Sequence, residues 1–96
     1  MIYLASPYSD IYGFVREERF REACRAASWL IQNGQPAFSP IAHSHNLTNF
    51  GVQGDWKTWI EYDLEFIALC HKVYVLKIDG WDKSEGVKEE IKHARK

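Results

Sequence analysis

The chain has 96 residues, 46% of them hydrophobic, and a net charge of −1. Those values fit one globular domain and exclude a disordered, highly charged segment. Basic residues run together only at Lys92-His93-Ala94-Arg95-Lys96, which suits a helix C-terminus, so duplex nucleic acid is not an expected partner. Met1 leads directly into a strand, no signal peptide is expected, and no apolar run approaches the ~20 residues of a membrane span. A cytoplasmic protein with Cys24 and Cys70 as reduced, buried thiols is the resulting expectation. Aromatics at 15%, four of them Trp, exceed what a small core needs and suit a stacking pocket or an interface.

Ile2-Tyr3-Leu4-Ala5 reads as a first strand that ends at Ser6-Pro7-Tyr8-Ser9. Asp10 can cap a first helix, whose apolar stripe is Phe14, Val15, Phe20, Ala23, Cys24, Ala27, Leu30 and Ile31 and whose stop is Asn33-Gly34. Pro36 to Pro40 reads as a short second strand, and residues 40–54 as a long polar loop. Asp55 caps a second helix to about Leu69, with Trp56, Trp59, Ile60, Phe66 and Ile67 inward. Val73-Tyr74-Val75-Leu76-Lys77-Ile78 reads as a buried third strand. A turn at Gly80-Trp81 then leads to a third helix, capped by Ser84, with Glu85 in its first turn and Val87, Ile91 and Ala94 as its apolar stripe.

The order β-α-β-α-β-α predicts an α/β fold: a small parallel sheet in the flavodoxin-like order 2-1-3, with helices on both faces in a three-layer sandwich. In that order the binding crevice lies between strands one and three, outside their carboxyl ends. The loop from Ser6 to Ser9, the turn from Asp79 to Ser84 and the start of the third helix all open there.

Two helical carboxylates, Asp63 and Glu90, flank that crevice. Asp63 has Trp59 four residues before it and Ile67 four after, and Glu90 adjoins the stripe of Val87 and Ile91. A pair of carboxylates is what glycosidic bond cleavage needs, one to attack or stabilise the sugar carbon and one to hold or donate a proton. The plainer reading is that helical acids face water. Tyr3 can orient Glu90 or merely pack, and Tyr8 can meet a ligand ring. Ser84 and Gly86 at a helix N-terminus can bind an anion through a hydroxyl and backbone N–H groups, or simply start a capped helix. Gly86 costs about 1 kcal/mol against alanine in a helix, which fits a close backbone approach. His43-Ser44-His45 lacks Cys or acidic partners at ligand spacing, so no metal is expected; the loop either folds over the crevice or is solvated. Trp56, Trp59, Tyr8 and the loop from His43 to Asn46 are candidates for a base-binding wall.

Tyr3-Leu4-Ala5-Ser6-Pro7, Asp63-Leu64-Glu65-Phe66-Ile67 and Ser84-x-Gly86-Val87-x-x-Glu90-Ile91, taken together, resemble the nucleoside 2-deoxyribosyltransferase superfamily. The last motif is most similar to the 2′-deoxynucleoside 5′-monophosphate N-glycosidases. The stretch from Phe38 to His45 and Gly80-Trp81 resemble a small branch of the superfamily. The resemblance spans nearly the whole chain, residues 1–96, as a single domain. It implies no cofactor and no metal. It implies Glu90 as the nucleophile at the sugar C1′, Asp63 as its assistant, Tyr3 as the residue orienting Glu90, and Ser84 and Gly86 as holders of a 5′-phosphate. The substrate contacts expected at the crevice are therefore Ser6, Pro7, Tyr8, His43, His45, Trp59, Trp81, Ser84 and Gly86.

The family's chain continues after this helix with a further strand, and its members complete each site from a neighbouring subunit. This chain is short by comparison, and its third strand would be an open edge, so a homo-oligomer is expected. The leading expectation is cleavage or transfer at the N-glycosidic bond of a nucleoside or nucleotide. The alternative is a non-catalytic nucleotide-binding module using the same crevice, as sensor or sequestering site. A partner-binding domain built on the aromatic surplus is a third.

Overall fold

The computed structural model describes residues 1–52 and 56–95, with the backbone alone at 56–58. Strands β1 (Ile2–Ala5), β2 (Ala37–Phe38) and β3 (Lys72–Val75) form one sheet in the order β2-β1-β3. Both pairings are parallel, and Tyr3 stands opposite Phe38 on one side and Val73 on the other. The helices are α1 (Gly13–Gln32), α2 (Pro40–Ser44), α3 (Trp56–Leu69) and α4 (Glu85–Ala94), with 3-10 turns at His45–Phe50 and Trp81–Lys83.

β1 is the centre of the sheet because all four of its side chains are apolar enough to be covered on both faces. Leu4 points to one side and packs on Ala27 and Leu30 of α1. Tyr3 and Ala5 point to the other side, where Ile67 of α3 meets them along with Phe38, Val73 and Val75. The chain is thus a small three-layer α/β sandwich of the expected strand order. β1 and β3 run side by side, and Leu76 N–H donates to the Ala5 carbonyl at 2.8 Å, so the segments leaving both strands emerge at the same end of the sheet.

Several local expectations are corrected. Phe14 and Ile31 were expected on the buried stripe of the first helix but are 74% and 57% exposed. A helix of 20 residues is about 30 Å long and overruns a four-residue strand, so its ends pass beyond the sheet. Asp10 does not cap α1; it stands two residues before the N-cap position, Tyr12, and its carboxylate accepts from the Tyr12 N–H at 2.9 Å. Residues 40–50 are helical rather than a loop, because Ser39 accepts from the Ala42 N–H at 3.1 Å as N-cap and Pro40 takes the first turn, where its missing N–H costs nothing.

The third strand is shorter and more exposed than expected. It stops at Val75, its residues alternate between exposed and half-buried, and Tyr74 is 38% exposed. No strand borders its outer side among the described residues, and α1 lies over β1 and β2, leaving Lys72 and Tyr74 in the open. Ala94, expected on the apolar stripe of the last helix, is exposed where α4 frays at its end. Cys24 and Cys70 are free but half-buried rather than buried. Asp55, expected as a cap, lies outside the described residues, as does the side chain of Trp56. Among the described residues no helix is long and apolar enough to cross a membrane.

Candidate functional site

At the end of the sheet where β1 and β3 finish, two helices bring carboxyl groups together. Val87 and Glu90 lie three residues apart, one turn of α4, and form its buried face; Glu90 is 4% exposed. On α3 the same logic buries Asp63 and Ile67, four residues apart. Tyr3 is fully buried in β1 and donates its hydroxyl hydrogen bond to Glu90 Oε2.

Burial pushes the Glu90 carboxyl up to about 8, with the Asp63 charge adding to the rise and the Tyr3 hydrogen bond pulling against it. Burial alone pushes Asp63 up to about 7. The Tyr3 phenol is held far above its ordinary range by burial first and by the Glu90 charge next. A hydroxyl that cannot ionise and that donates to a carboxylate favours the ionised carboxylate, so Tyr3 opposes the rise that burial and Asp63 impose on Glu90.

Asp63 and Glu90 both line a cavity of about 220 Å³. Ser6, just past β1, and Ser44, at the end of α2, line it as well. The Oγ atoms of Ser6 and Ser44 and the Oδ1 atom of Asp63 are buried and have no hydrogen-bond partner among the described residues. Three orphaned polar atoms around one cavity are costly for a folded chain, and a ligand that bonds them offsets that cost.

The α4 N-terminus forms another side of the cavity through Lys83, Ser84, Glu85 and Gly86. Ser84 Oγ accepts from the Val87 N–H at 3.2 Å, so the expected cap is present. The Ser84 hydroxyl hydrogen remains available, and the first N–H groups of any helix have no intrahelical partner. With Lys83 also lining the cavity there, this corner is suited to an anion.

The outer wall is built from Tyr8, His45 and Trp59. Tyr8 Oη and His45 Nδ1 are 2.8 Å apart, and His45 Nε2 lies 2.8 Å from Glu17 Oε2 on α1. Phe20 stacks on the His45 ring, with centroids 4.2 Å apart and planes at 18°. Burial raises the Tyr8 phenol, so it stays protonated. Trp59 is braced edge-on by Tyr62. Arg19 of α1 fastens the two loops at the mouth: its guanidinium donates to the Ser9 carbonyl at 2.8 Å, and to those of Tyr8 and Asp79 at 3.4 Å each.

The structure therefore gathers Glu90, Asp63, Ser6, Tyr8, His45, Trp59, Ser84 and Gly86 around one cavity, with Tyr3 behind Glu90. It does not bring Pro7, His43 or Trp81 to that cavity. Pro7 is buried in the core, His43 bonds and stacks on Tyr62, and Trp81 carries the Lys77 ammonium 4.9 Å above its ring. Sequence reasoning missed Lys83, Glu17 and Arg19, and it placed Ser44 in the candidate loop from His43 to Asn46 without singling it out. Lys83 directly precedes the recognised cap and Ser44 sits between two noted histidines, so both were in reach; Glu17 and Arg19 look like ordinary charges on a solvated helix. Among the described residues no three His, Cys, Asp or Glu side chains converge as metal ligands.

No curated protein matches the chain. Residues 1–96, its full length, match the family model described as "Domain of unknown function (DUF1937)", and the chain belongs to that family.

Proposed function

We propose that this protein breaks the N-glycosidic bond of a nucleoside or nucleoside 5′-monophosphate, completing the reaction by hydrolysis or by transfer to a second base. The observation that carries the reading is the buried Tyr3–Glu90 hydrogen bond at the edge of a cavity shared with Asp63. A carboxyl oriented by a phenol, beside a second carboxyl with which it shares protons near neutrality, is the equipment of a retaining glycosyl transfer. The resemblance of the β1, α3 and α4 motifs to the nucleoside 2-deoxyribosyltransferase superfamily supports the same reading.

In this mechanism the reacting form of the pair holds one proton, on Asp63; ionised Glu90 attacks C1′ of the sugar, and a C1′–O bond forms as the C1′–N bond breaks. The base leaves with the bonding electron pair and takes the proton of Asp63. Water or a second base then attacks C1′ and gives its proton back to Asp63, and Glu90 departs as a carboxylate. Splitting one displacement in two lowers each barrier, and holding the sugar between Glu90 and Asp63 supplies much of the rest. Ser84, Gly86 and Lys83 suit a 5′-phosphate, and Trp59 and Tyr8 offer faces to the base. The open edge of β3, with Tyr74 half-exposed beside it, supports a homo-oligomer; a monomeric mass in solution would count against that part.

The test is chromatography of incubations with deoxy- and ribonucleosides and their 5′-monophosphates, with and without added free base. Base released by the unmutated protein and not by Glu90→Gln is the expected result, and a new nucleoside on adding free base identifies transfer. No release from any substrate refutes the reading and turns it toward a non-catalytic nucleotide-binding module.

A further inference from the structure

Resting on the glycosidic reading of the cavity, we propose that Tyr8, held by His45 and Glu17, acts as a fixed hydrogen-bond acceptor that selects nucleobases carrying an exocyclic amino group. The inference follows from counting donors along a chain of three side chains. A carboxylate only accepts, so the 2.8 Å contact between Glu17 Oε2 and His45 Nε2 places the ring proton on Nε2. In the neutral imidazole, Nδ1 is then an acceptor. Tyr8 lies 2.8 Å from that Nδ1, so with the ring neutral its O–H donates there. The phenol has one proton and has used it. What Tyr8 keeps for the cavity it lines is lone pairs.

The arrangement is held on every side. Arg21 Nε sits 3.4 Å from the other Glu17 oxygen, which keeps the carboxylate turned toward both partners. Phe20 lies flat against the imidazole and fixes its plane. The His45 side chain is 14% exposed, so water has little room to replace either bond. Ser6 and Ser44 also offer oxygens to the cavity, but a serine hydroxyl rotates to donate or accept as the ligand requires. Tyr8 cannot, and so it discriminates. An amino group on the base donates to it; a carbonyl oxygen at the same place would meet it lone pair to lone pair. A site built for one partner rejects the analogue because its own polar group is left unpaired.

The test is a comparison of matched pairs that differ in that one group: deoxyadenosine against deoxyinosine and deoxycytidine against deoxyuridine, as nucleosides and as 5′-monophosphates. The kcat/KM for base release is measured for the unmutated protein, Tyr8→Phe and Glu17→Gln. The unmutated protein is expected to prefer the amino member of each pair by about tenfold, the value of one directional hydrogen bond. The preference is expected to fall to near unity in Tyr8→Phe, where the acceptor is gone. It is expected to fall equally in Glu17→Gln, where the amide can donate or accept a hydrogen bond at Nε2 and no longer fixes the His45 tautomer. Glu17 is not on the cavity, and a merely structural loss there would lower both members of a pair alike, leaving their ratio intact.

Equal use of both members, a preference for the carbonyl member, or a preference that survives in both variants would overturn the selection while base release keeps the glycosidic reading. Absence of release from every pair overturns the glycosidic reading instead. Calorimetric binding of the same pairs then decides the selection by the same ratio, a tenfold amino preference lost in both variants supporting it and equal binding overturning it.

Discussion

Tyr3 and Glu90 are separated by 87 residues and joined by one buried hydrogen bond, which ties the first strand to the last helix. That bond is the one influence on Glu90 that lowers its pKa, while burial and Asp63 raise it. Tyr3→Phe should therefore move the ionisation of Glu90 upward from about 8. The acid limb of the pH–rate profile should shift to higher pH, with activity at neutral pH reduced about tenfold or more, as for the loss of a hydrogen bond to a charged group. A profile that stays in place would separate Tyr3 from the ionisation of Glu90.

Asp63→Asn should act in the opposite direction. Removing the neighbouring charge removes one cause of the raised Glu90 pKa, so the acid limb should move to lower pH. The proton for the leaving base is lost at the same time, and the maximal rate should fall by about 10²–10⁴-fold, the usual contribution of a positioned general acid. The two variants thus carry profile shifts of opposite sign, and measuring them side by side removes the effect of a general loss of activity.

Stability should fall as the solution becomes more alkaline. Asp63 and Glu90 are raised to about 7 and about 8 from ordinary values of 3.8 and 4.5. The folded chain therefore holds protons that the unfolded chain has already released. The stabilisation from these two groups is complete below the ordinary carboxyl range and is lost as pH climbs through their folded pKa values. At about 1.4 kcal/mol for each pKa unit, the loss should amount to several kcal/mol over that span. Thermal melts from acid to mildly alkaline pH should show Tm declining, and Glu90→Gln, which has no proton to lose, should decline less. A Tm that rises across the same span would contradict the buried placement of the pair.

Gly80 has φ +91°, a left-handed conformation, and a methyl group added there would collide with the Arg19 guanidinium. Gly80→Ala should cost about 1–2 kcal/mol from the backbone alone. It should also push Arg19 off the Asp79 carbonyl and loosen the hold between the loops after β1 and β3. Binding of any ligand in the cavity should weaken more than the melting temperature alone implies. Arg19→Ala should reproduce the weakening of binding without the backbone strain, and unaltered affinity in both variants would show that the clamp does not shape the cavity.

The sheet order and the placement of the two carboxylates were legible because each rests on local spacing. Ile2 to Ala5 has no polar residue and must be central; Val87 and Glu90 share a face by being one turn apart, as Asp63 and Ile67 do. The helical turns from Pro40 to Phe50 are hidden by a polar composition that reads as a loop, although Ser39-Pro40 is a helix start signal. The exposure of β3 was missed because an apolar run reads as buried, whereas burial depends on whether another strand and a helix cover it. Tyr8, His45 and Glu17 meet across 37 and 28 residues of chain. No periodicity reports such a meeting; it follows only once the fold brings α1, the loop after β1 and the turn after α2 to one place.

Helix α1 places no side chain on the cavity, yet Glu17 and Arg19 leave it two residues and roughly 200° apart, one to His45 and one to both rim loops. The groups proposed to break the glycosidic bond sit instead on β1, α3 and α4. This division of labour means that a drifting surface helix could retune which ligand is welcomed, turn by turn, while the reacting centre is left as it is.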